Sequence, residues 1–478
     1  MREESDFIGK QMLPDDALYG IHAWRSRQNF PGNILFHEEW YCAMGKVKLA
    51  AYQTILALHG AVKKEIKDVS LPAGMEEISV FERLCEAAAE VSAGKHFEQF
   101  IVPALQGGAG TSINMNVNEI ISNVALQKMG LPPGSYHAVD PLRHANLFQS
   151  TNDVVPTALK LAIMQLLADL ENGVNSLRSS FEKKEGTYRN DLRLAYTQMQ
   201  EAVPSSFGML FGAWSEALAR DWWRVSKCFE RIKMVNLGGG ATGSALAIPR
   251  FYVMEVLGQL QKLTDMPLTR SENLSDATQN LDPFVEVHAT LKAYAVNLEK
   301  IAGDLRLLSS DINKIRQISI PARQLGSSMM PGKLNPVIAE YVIGAAHKVY
   351  SNDMLITSLC GQGSLDLNPY IPIIGHAMLE SIKLLIASGK SLKENLVDGI
   401  TVEVSATMKQ TMHSPSVTTA LIPYAGYETA AEVAAYMKEN GCDIFAANAK
   451  LKVLSQDKIV EVMKPENLIR LGYSFRDL

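Results

Sequence analysis

The sequence predicts an all-α fold built around a bundle of long helices. Three stretches carry apolar residues at steps of three and four, the spacing that places side chains on one face of a helix. The three stripes are Leu159, Ile163, Leu166, Leu170, Val174 and Leu177; Leu210, Trp214, Leu218, Trp222, Val225, Phe229 and Ile232; and Leu291, Tyr294, Leu298, Ile301, Leu305 and Leu308. Long helices of similar length bury such stripes by packing against one another.

The third stripe also has a recognisable start. Asp282 followed by Pro283 is typical of a helix N-cap with proline in the first turn. The stripe lies between Asp282 and Asp311, and a helix of about 28 residues there would be a rod about 40 Å long. The helical spacing of Trp214 and Trp222 indicates core packing rather than an aromatic ligand site.

Length and local composition predict the domain organisation. A chain of 478 residues is too long for one ordinary core, and we expect two or three domains. The first third mixes shorter helices with a loop-rich start, and the tail is broken by Pro415, Pro423 and Gly426. We therefore expect a mostly helical N-terminal domain over residues 1–146, a central long-helix domain over 147–398 and a small helical C-terminal domain over 399–478.

The charge pattern argues against two classes of partner. The 51 acidic residues exceed the 46 basic ones, and there is no dense Lys/Arg run of the kind that binds a phosphate backbone. Four of the first six residues are charged, and no uninterrupted apolar run approaches the roughly 18 residues of a membrane span. We expect a soluble, cytoplasmic protein that binds neither nucleic acid nor membrane.

Cysteine and histidine are too scattered to predict a metal centre. The five cysteines lie far apart and the ten histidines form no metal-ligand spacing. These residues are Cys42, Cys85, Cys228, Cys360 and Cys442, and His22, His37, His59, His96, His137, His144, His288, His347, His376 and His413. The sequence therefore predicts no metal and no other cofactor in the chemistry.

One loop, residues 326–336, concentrates groups that suit a carboxylate. It reads Gly-Ser-Ser-Met-Met-Pro-Gly-Lys-Leu-Asn-Pro and supplies two hydroxyls, a cation and an amide, from Ser327, Ser328, Lys333 and Asn335. Its glycines permit sharp turns that bring backbone N–H groups to a ligand, and its prolines restrict the chain. The loop predicts a site for a small anionic substrate.

This loop resembles the signature of the aspartase/fumarase superfamily, Gly-Ser-Ser-x-Met-Pro-x-Lys-x-Asn-Pro, at every fixed position. Residues 106–119, 149–153 and 197–202 resemble three further family blocks, in family order. The resemblance implies three largely helical domains and a homotetramer whose central helices form one bundle. It also implies active sites that combine blocks from three chains, so that the blocks lie in loops at helix ends.

The resemblance implies an elimination reaction. Such enzymes remove a proton next to a carboxylate and expel an amine or hydroxyl from the neighbouring carbon, which yields fumarate or a fumaryl product. The carboxylate then carries a second negative charge and needs several preorganised donors. By resemblance, Ser327 is the general base, and the donors around this carboxylate are Thr111, Ser150, Thr151 and Ser328.

The remaining site residues follow from the same resemblance. Lys333 and Asn335 would hold the other carboxylate. Asn152, Thr197 and Gln198 would face the leaving group, and Ser112 belongs with the substrate-binding residues. Ser327 can act as a base only as an alkoxide, stabilised by backbone N–H groups and a nearby cation.

A few residues in these blocks resemble the aspartase branch of the family more than the fumarase branch. Gly110-Thr111-Ser112 and Ser150-Thr151-Asn152 look like the aspartase versions, where fumarases tend to show Gly-Thr-Gln and Ser-Ser-Asn. Gln198 stands where fumarases place a histidine, and expelled hydroxide needs an acid whereas an ammonium group already carries its proton. We expect elimination of ammonia from L-aspartate. A fumarate hydratase, a lyase for an altered amino acid and a non-catalytic helical scaffold are the alternatives.

Three departures from the family pattern bear on substrate identity. Ala195-Tyr196 replaces Gly-Arg ahead of Thr197, Ala247 stands where an amide is expected, and Pro369-Tyr370 replaces a Val-Met pair. The intact Ser327 loop argues against the scaffold, because a binding scaffold has no need of a base beside a carboxylate grip. These changes are therefore expected to affect the substrate more than the reaction class.

Overall fold

The computed structural model describes residues 1–65, 71–312 and 315–476, and its architecture is mainly α-helical, as predicted. The described helices are α1 (Ile21–Asn29), α2 (Glu38–Glu65), α3 (Ile78–Ser92), α4 (Thr111–Lys128), α5 (Thr151–Thr187), α6 (Phe207–Ile232), α7 (Arg250–Thr264), α8 (Asp276–Gln279), α9 (Asp282–Leu308), α10 (Val337–Cys360), α11 (Ile371–Asn395), α12 (Val404–His413), α13 (Ile422–Asn440), α14 (Ile444–Leu451), α15 (Gln456–Val462) and α16 (Pro465–Leu468).

The three apolar stripes lie in long helices, as predicted. They fall within α5, α6 and α9. Helix α9 ends at Leu308, before the predicted Asp311, because the Leu308 carbonyl accepts a hydrogen bond from the Gln317 N–H at 3.1 Å. Trp214 is buried against Phe181 and Phe211, which confirms its assignment to the core.

Short strands accompany the helices, and the sequence did not predict them. The strands are β1 (Arg2–Asp6), β2 (Gly9–Leu13), β3 (Leu192–Thr197), β4 (Gln200–Ser206), β5 (Met234–Val235), β6 (Thr269–Arg270), β7 (Ile318–Ser319) and β8 (Thr401–Val402). They pair as β1–β2, β3–β4, β5–β6 and β7–β8, and only β5–β6 is parallel among the described strands. The two-residue strands β5, β6, β7 and β8 leave no room for a period-two apolar pattern.

Contacts divide the chain into two units. Unit 1 comprises Met1–Leu170, Arg224–Lys292 and Lys348–Leu384, and unit 2 comprises Glu171–Trp223, Ala293–His347 and Leu385–Leu478. The divisions fall within α5, α6, α9, α10 and α11, so each of these helices contributes residues to both units. The three predicted domains, whose residues 66–70, 313–314 and 477–478 lie outside the described part, stay a prediction.

In unit 1, α2 packs against α3 and α7, and α3 packs against α4. Helix α2 buries Trp40, Tyr41 and Tyr52 completely. Each of these polar aromatics has a partner, because the Trp40 indole donates to the Val155 carbonyl at 3.2 Å and the two tyrosine hydroxyls also donate to backbone carbonyls. Helix α2 therefore organises the core of this unit.

In unit 2, the β3–β4 hairpin packs near the C-terminal helices. Leu192 of β3 shares an apolar cluster with Val417, Leu421, Val433 and other residues of the tail. The predicted breaks are real: Pro415 begins the 3₁₀ segment Pro415–Leu421, and Gly426 interrupts α13 with φ 80° and ψ 169°.

One segment, Ile371–Gly399, is long and apolar enough to cross a membrane. Of the most apolar 18-residue window in it, 61% is buried within the structure, as expected for a core helix of a soluble protein. Length and composition alone are weak grounds for a membrane span. The cytoplasmic location stays a prediction.

Two glycines of α2 provide a test of close packing. A Cβ on Gly45 would lie 2.4 Å from the Ser92 backbone nitrogen, whereas a Cβ on Gly60 would meet nothing within 4 Å. We expect Gly45→Ala to destabilise the protein by about 1–3 kcal/mol, because backbone atoms of α3 must move. Gly60→Ala should be neutral or stabilising by ~0.5–1 kcal/mol. Thermal unfolding measures both, and equal melting temperatures would contradict this account of the α2–α3 contact.

Candidate active site

In unit 1, two of the four blocks meet at the starts of α4 and α5. Thr111 is the first residue of α4 and Thr151 the first residue of α5. Gly110 has φ 89°, and a Cβ placed on it would lie 3.1 Å from a Val155 methyl group. A glycine here therefore lets the two helix starts lie close together, and helix N-termini offer unpaired N–H groups to an anion.

A buried carboxylate organises the start of α5. Asp153 Oδ1 accepts the Ser150 N–H at 3.0 Å, and Oδ2 accepts the N–H groups of Gly238 and Gly240 at 3.2 and 3.0 Å. Burial raises the pKa of Asp153 to about 6, while these N–H groups and the charge of Lys48 oppose the shift. Asp153 thus joins the Ser150 turn to the glycine-rich loop.

Asn152 is held from several sides. Its Nδ2 donates to the Ala241 carbonyl at 2.8 Å, its N–H donates to Ser150 Oγ at 3.2 Å, and its carbonyl accepts from Asn236 Nδ2 at 2.9 Å. No hydrogen bond within the described residues uses its Oδ1. The side chain therefore has a fixed orientation and one uncommitted acceptor.

Beneath these two helix starts lies Lys48 of α2, which is completely buried. Its Nζ donates to Asn114 Oδ1 at 2.6 Å and to Gln149 Oε1 at 2.8 Å. Burial lowers its pKa to about 7, although the charge of Asp153 opposes the shift. No motif in the sequence marks Lys48, whose contact with Asn114 spans 66 positions of the chain.

A second buried carboxylate holds α1 against α4. Glu119 accepts N–H groups from Gly20, His22 and Ala23 at 2.8–3.2 Å, and burial raises its pKa to about 8. A Cβ on Gly20 would lie 2.7 Å from Glu119 Oε1, so this approach requires glycine. It brings His22 Nε2 to 3.4 Å from the Oγ of the buried Ser112. The sequence analysis assigned Glu119 and His22 no role.

The glycine-rich loop beside Asn152 is strained. Ala245 and Ala247 have φ values of 53° and 63°, a left-handed conformation that costs about 1–2 kcal/mol for each alanine. Leu246 between them is 87% exposed. Ala247 therefore keeps a conformation that favours glycine or asparagine while presenting only a methyl group.

Pro369-Tyr370, the pair that replaces Val-Met, follows Asn368 in the connection between α10 and α11. Asn368 is buried; its Nδ2 donates to the last carbonyls of α10, at Leu359 and Cys360, and its Oδ1 accepts the Tyr370 N–H just before α11. All these bonds serve the helix ends. Asn368 therefore has a structural role here.

In unit 2, the Ser327 loop is closed at its base by hydrogen bonds. The Gly326 N–H donates to the Lys333 carbonyl and Asn335 Nδ2 donates to the Gly326 carbonyl, both at 2.8 Å. A Cβ on Gly326 would lie 2.8 Å from that Lys333 oxygen, and Gly332 has φ 78°. Both glycines therefore have the turning role that the sequence predicts, one through space and the other through its backbone angle.

Ser327 Oγ accepts two backbone N–H groups, from Met329 at 3.1 Å and Met330 at 2.9 Å. Ser327 is half-buried and Ser328 is exposed. Hydrogen bonds to an oxygen stabilise its charged form relative to its neutral form. The loop thus surrounds the Ser327 oxygen with the kind of donors that an alkoxide needs.

Lys333 and Asn335 line a cleft of about 1350 Å³ within unit 2. Three other cations line it, and each has an acidic partner: Lys300 pairs with Asp304, Arg306 with Glu340, and Arg316 with Asp311. Among the described lining residues, Lys333 is the cation without an ion-pair partner. It is exposed and available to a carboxylate.

Thr197 and Gln198 lie in a β-hairpin, so the expectation of a loop at a helix end was wrong for this block. Thr197 pairs with Gln200, and Gln198 and Met199 form the two-residue turn with φ values of 52° and 60°. Positive φ at both positions matches the twist of a hairpin. Both predicted site residues, Thr197 and Gln198, are exposed at its tip.

Tyr196, which stands where the family pattern has an arginine, accepts two hydrogen bonds through its hydroxyl. Tyr196 OH accepts from Gln317 Nε2 at 3.3 Å and from Gln410 Nε2 at 3.1 Å. Gln317 Oε1 in turn accepts from Arg193 Nε at 3.2 Å. Tyr196 therefore bonds to Gln317, which precedes β7, and to Gln410 of α12 instead of contributing a cation.

The structure thus brings some predicted residues together. Thr111, Ser112, Ser150, Thr151 and Asn152 cluster in unit 1, and Ser327, Ser328, Lys333 and Asn335 share one loop of unit 2. The hairpin residues also belong to unit 2, where no hydrogen bond within the described residues joins them to that loop.

Comparisons with known proteins identify the family of this chain. Residues 9–351 match a lyase family and residues 417–470 match the fumarase C C-terminus. Aspartate ammonia-lyase of Bacillus subtilis is 35% identical over 100% of this chain and 98% of its own, and that of Escherichia coli is 34% identical over 99% and 97%. The chain therefore belongs to the aspartase/fumarase superfamily of lyases and is an enzyme of the lyase class.

Solved structures share the fold. A fumarate lyase:delta crystallin from Brucella melitensis, bound to cobalt, has a TM-score of 0.89 and 34% identity, covering 97% of this chain and 98% of that one. A class II fumarase from Schistosoma mansoni has a TM-score of 0.85 and 25% identity, covering 97% and 98%. The mainly α-helical fold predicted from the sequence is confirmed.

Proposed function

We propose that this enzyme is an aspartate ammonia-lyase, which eliminates ammonia from L-aspartate to give fumarate. The observation that carries the proposal is the environment of Ser327, whose Oγ accepts two backbone N–H groups in a loop that also holds Lys333 and Asn335. Full-length similarity to aspartate ammonia-lyases supports the same reaction.

Ser327 is the general base in this proposal. A serine alkoxide is a strong base that needs stabilisation, and the N–H groups of Met329 and Met330 supply it. The base takes the proton from the carbon next to a substrate carboxylate. The electron pair moves into that carboxylate, which becomes an aci-carboxylate, and the C–N bond then breaks as the pair returns to form the double bond.

Two sets of donors hold the two substrate carboxylates. Thr111, Ser150, Thr151 and Ser328 stabilise the carboxylate that gains charge, together with open N–H groups at the helix starts. Lys333 and Asn335 bind the other carboxylate. The absence of a protein ion-pair partner for Lys333 among the described residues supports this role, since its charge is available to a ligand.

Asn152 offers an acceptor to a leaving amine. One N–H of its Nδ2 donates to the Ala241 carbonyl and fixes the amide, and its Oδ1 has no hydrogen-bond partner within the described residues. A substrate ammonium group has three N–H donors and no acceptor, and it suits this oxygen. Gln198 at the hairpin tip supplies no acid, and an ammonium group leaves without one.

Hydration of fumarate, the reaction of a fumarase, is a second candidate function. A class II fumarase shares the fold at 25% identity, and a hydroxyl group can also donate to Asn152 Oδ1. In that case another group must protonate the leaving hydroxide. The substrate assay below separates the two reactions.

The decisive experiment compares L-aspartate with L-malate. We expect the purified enzyme to form fumarate and ammonia from L-aspartate, followed by ultraviolet absorbance and a coupled ammonia assay. Ser327→Ala should lower kcat by about 10²–10⁴-fold because the general base is lost, while Ser358→Ala, at a serine of α10, serves as the control. Fumarate from malate alone would make the enzyme a hydratase.

Replacing Gln198 with histidine tests the leaving-group assignment. His tolerates the left-handed backbone conformation of position 198, and an imidazole can protonate a departing hydroxide. We expect Gln198→His to gain measurable malate turnover, with Gln198→Asn as the control for the backbone. Unchanged malate turnover in Gln198→His would count against this role of Gln198.

We also propose a homotetramer with shared active sites. Val296, Leu307 and Tyr341 of α9 and α10 are between 42% and 50% exposed in the single chain, as expected for helix faces that pack against other subunits. Sedimentation velocity should give a tetramer. A monomer that is active at assay concentrations would contradict the shared site.

A further inference from the structure

Lys48 is an unusual buried lysine. Its side chain is completely buried, yet within the described residues its hydrogen-bond partners are two neutral amides, Asn114 and Gln149. Burying an ammonium group against neutral partners is unfavourable, and burial lowers the pKa of Lys48 to about 7. Stability alone therefore does not account for a lysine at this position.

Lys48 fixes the orientation of the side-chain amides to which it donates. Its Nζ donates to the Asn114 side chain, so the carbonyl oxygen of Asn114 faces Lys48, at 2.6 Å, and the ammonium form of the lysine can only donate. The Asn114 Nδ2 then faces the other way. It donates to Asn146 Oδ1 at 2.9 Å and to Thr151 Oγ1 at 3.3 Å.

Asn146 and Gln149 extend this hydrogen-bond network, and their amide orientations agree with that of Asn114. Asn146 Oδ1 also accepts from Asn118 Nδ2 at 3.0 Å, and Asn146 Nδ2 donates to the Gln149 carbonyl at 3.1 Å. Gln149 Oε1 accepts from Lys48, so its Nε2 donates to the carbonyls of Ala145 and Leu147. Lys48 therefore sets the orientation of two amides and the turn that precedes Ser150.

The consequence falls on Thr151. Because Thr151 Oγ1 accepts from Asn114, its own O–H proton is left for another acceptor. If Asn114 turned its amide over, its Oδ1 would face Thr151 and would take that proton. The same hydroxyl would then no longer donate to a carboxylate.

We propose that Lys48 is a positioning residue that orients Asn114 so that Thr151 presents its hydroxyl proton to the substrate carboxylate. This inference rests on the proposed function, in which Thr151 is one of the donors to the carboxylate that gains charge. Lys48 itself contacts no substrate. It acts through one amide and one hydroxyl.

A double-mutant cycle tests the inference. Lys48→Met removes the ammonium group and keeps an apolar chain of similar length, and Thr151→Val removes the hydroxyl. We expect each to lower kcat/KM for L-aspartate by about 10²-fold. The double variant should be no worse than Thr151→Val, because Lys48 acts through that hydroxyl. Losses that multiply, or full activity of Lys48→Met, would overturn the inference.

Lys160 provides a matched control. It is also buried, its Nζ donates to the Met234 carbonyl at 2.7 Å, and burial lowers its pKa to about 8. We expect Lys160→Met to keep kcat/KM within about twofold. An equal loss in Lys48→Met and Lys160→Met would overturn the inference, since the effect would then belong to any buried lysine.

Neutron crystallography of the wild-type enzyme gives a readout that needs neither activity nor a folded variant. We expect the Thr151 hydroxyl deuteron to point away from Asn114. We expect the two deuterons on Asn114 Nδ2 to be visible, with one of them directed at Thr151 Oγ1. A Thr151 deuteron directed at Asn114 would overturn the inference. Failure of the wild-type enzyme to act on L-aspartate would overturn the proposed function instead, and the neutron map would still decide the role of Lys48.

Discussion

The buried carboxylate of Asp153 is the interaction on which the arrangement of the unit 1 residues at the start of α5 depends. The first N–H groups of a helix have no partner within the helix, and a site that binds an anion must keep some of them open. Asp153 binds the Ser150 N–H just before α5 and two N–H groups of the glycine-rich loop. It thereby holds both segments. The hydroxyl oxygens of Ser150 and Thr151 have other partners, because they accept from the Asn152 N–H and from Asn114 Nδ2.

Lys48 and Asp153 balance each other in the same core. Each is buried, and each has its pKa shifted toward neutrality by burial and back by the charge of the other. The two charges are separated by amides rather than paired directly in a salt bridge. Lys48 orients the side chains of Asn114 and Gln149 through its donors, and Asp153 orients backbone N–H groups as their acceptor.

Local pattern accounts for what the sequence could predict. The apolar stripes of α5, α6 and α9 repeat over many turns, so their helices were predicted with errors only at the ends. The β3–β4 hairpin was missed because its turn is Gln198-Met199, without the glycine or asparagine that marks such turns. Lys48 was missed for a different reason: its partners are distant in the chain, and a lysine in a helix is ordinarily solvated.

The turn at Gln198 has a consequence for how this enzyme can diversify. Its left-handed backbone excludes β-branched residues whatever their chemistry, whereas asparagine, aspartate, histidine and glycine are accepted. The side chains open to selection at position 198 are therefore mainly polar or absent. Backbone geometry at one hairpin tip thus limits which residues a descendant of this sequence can place there by single substitutions.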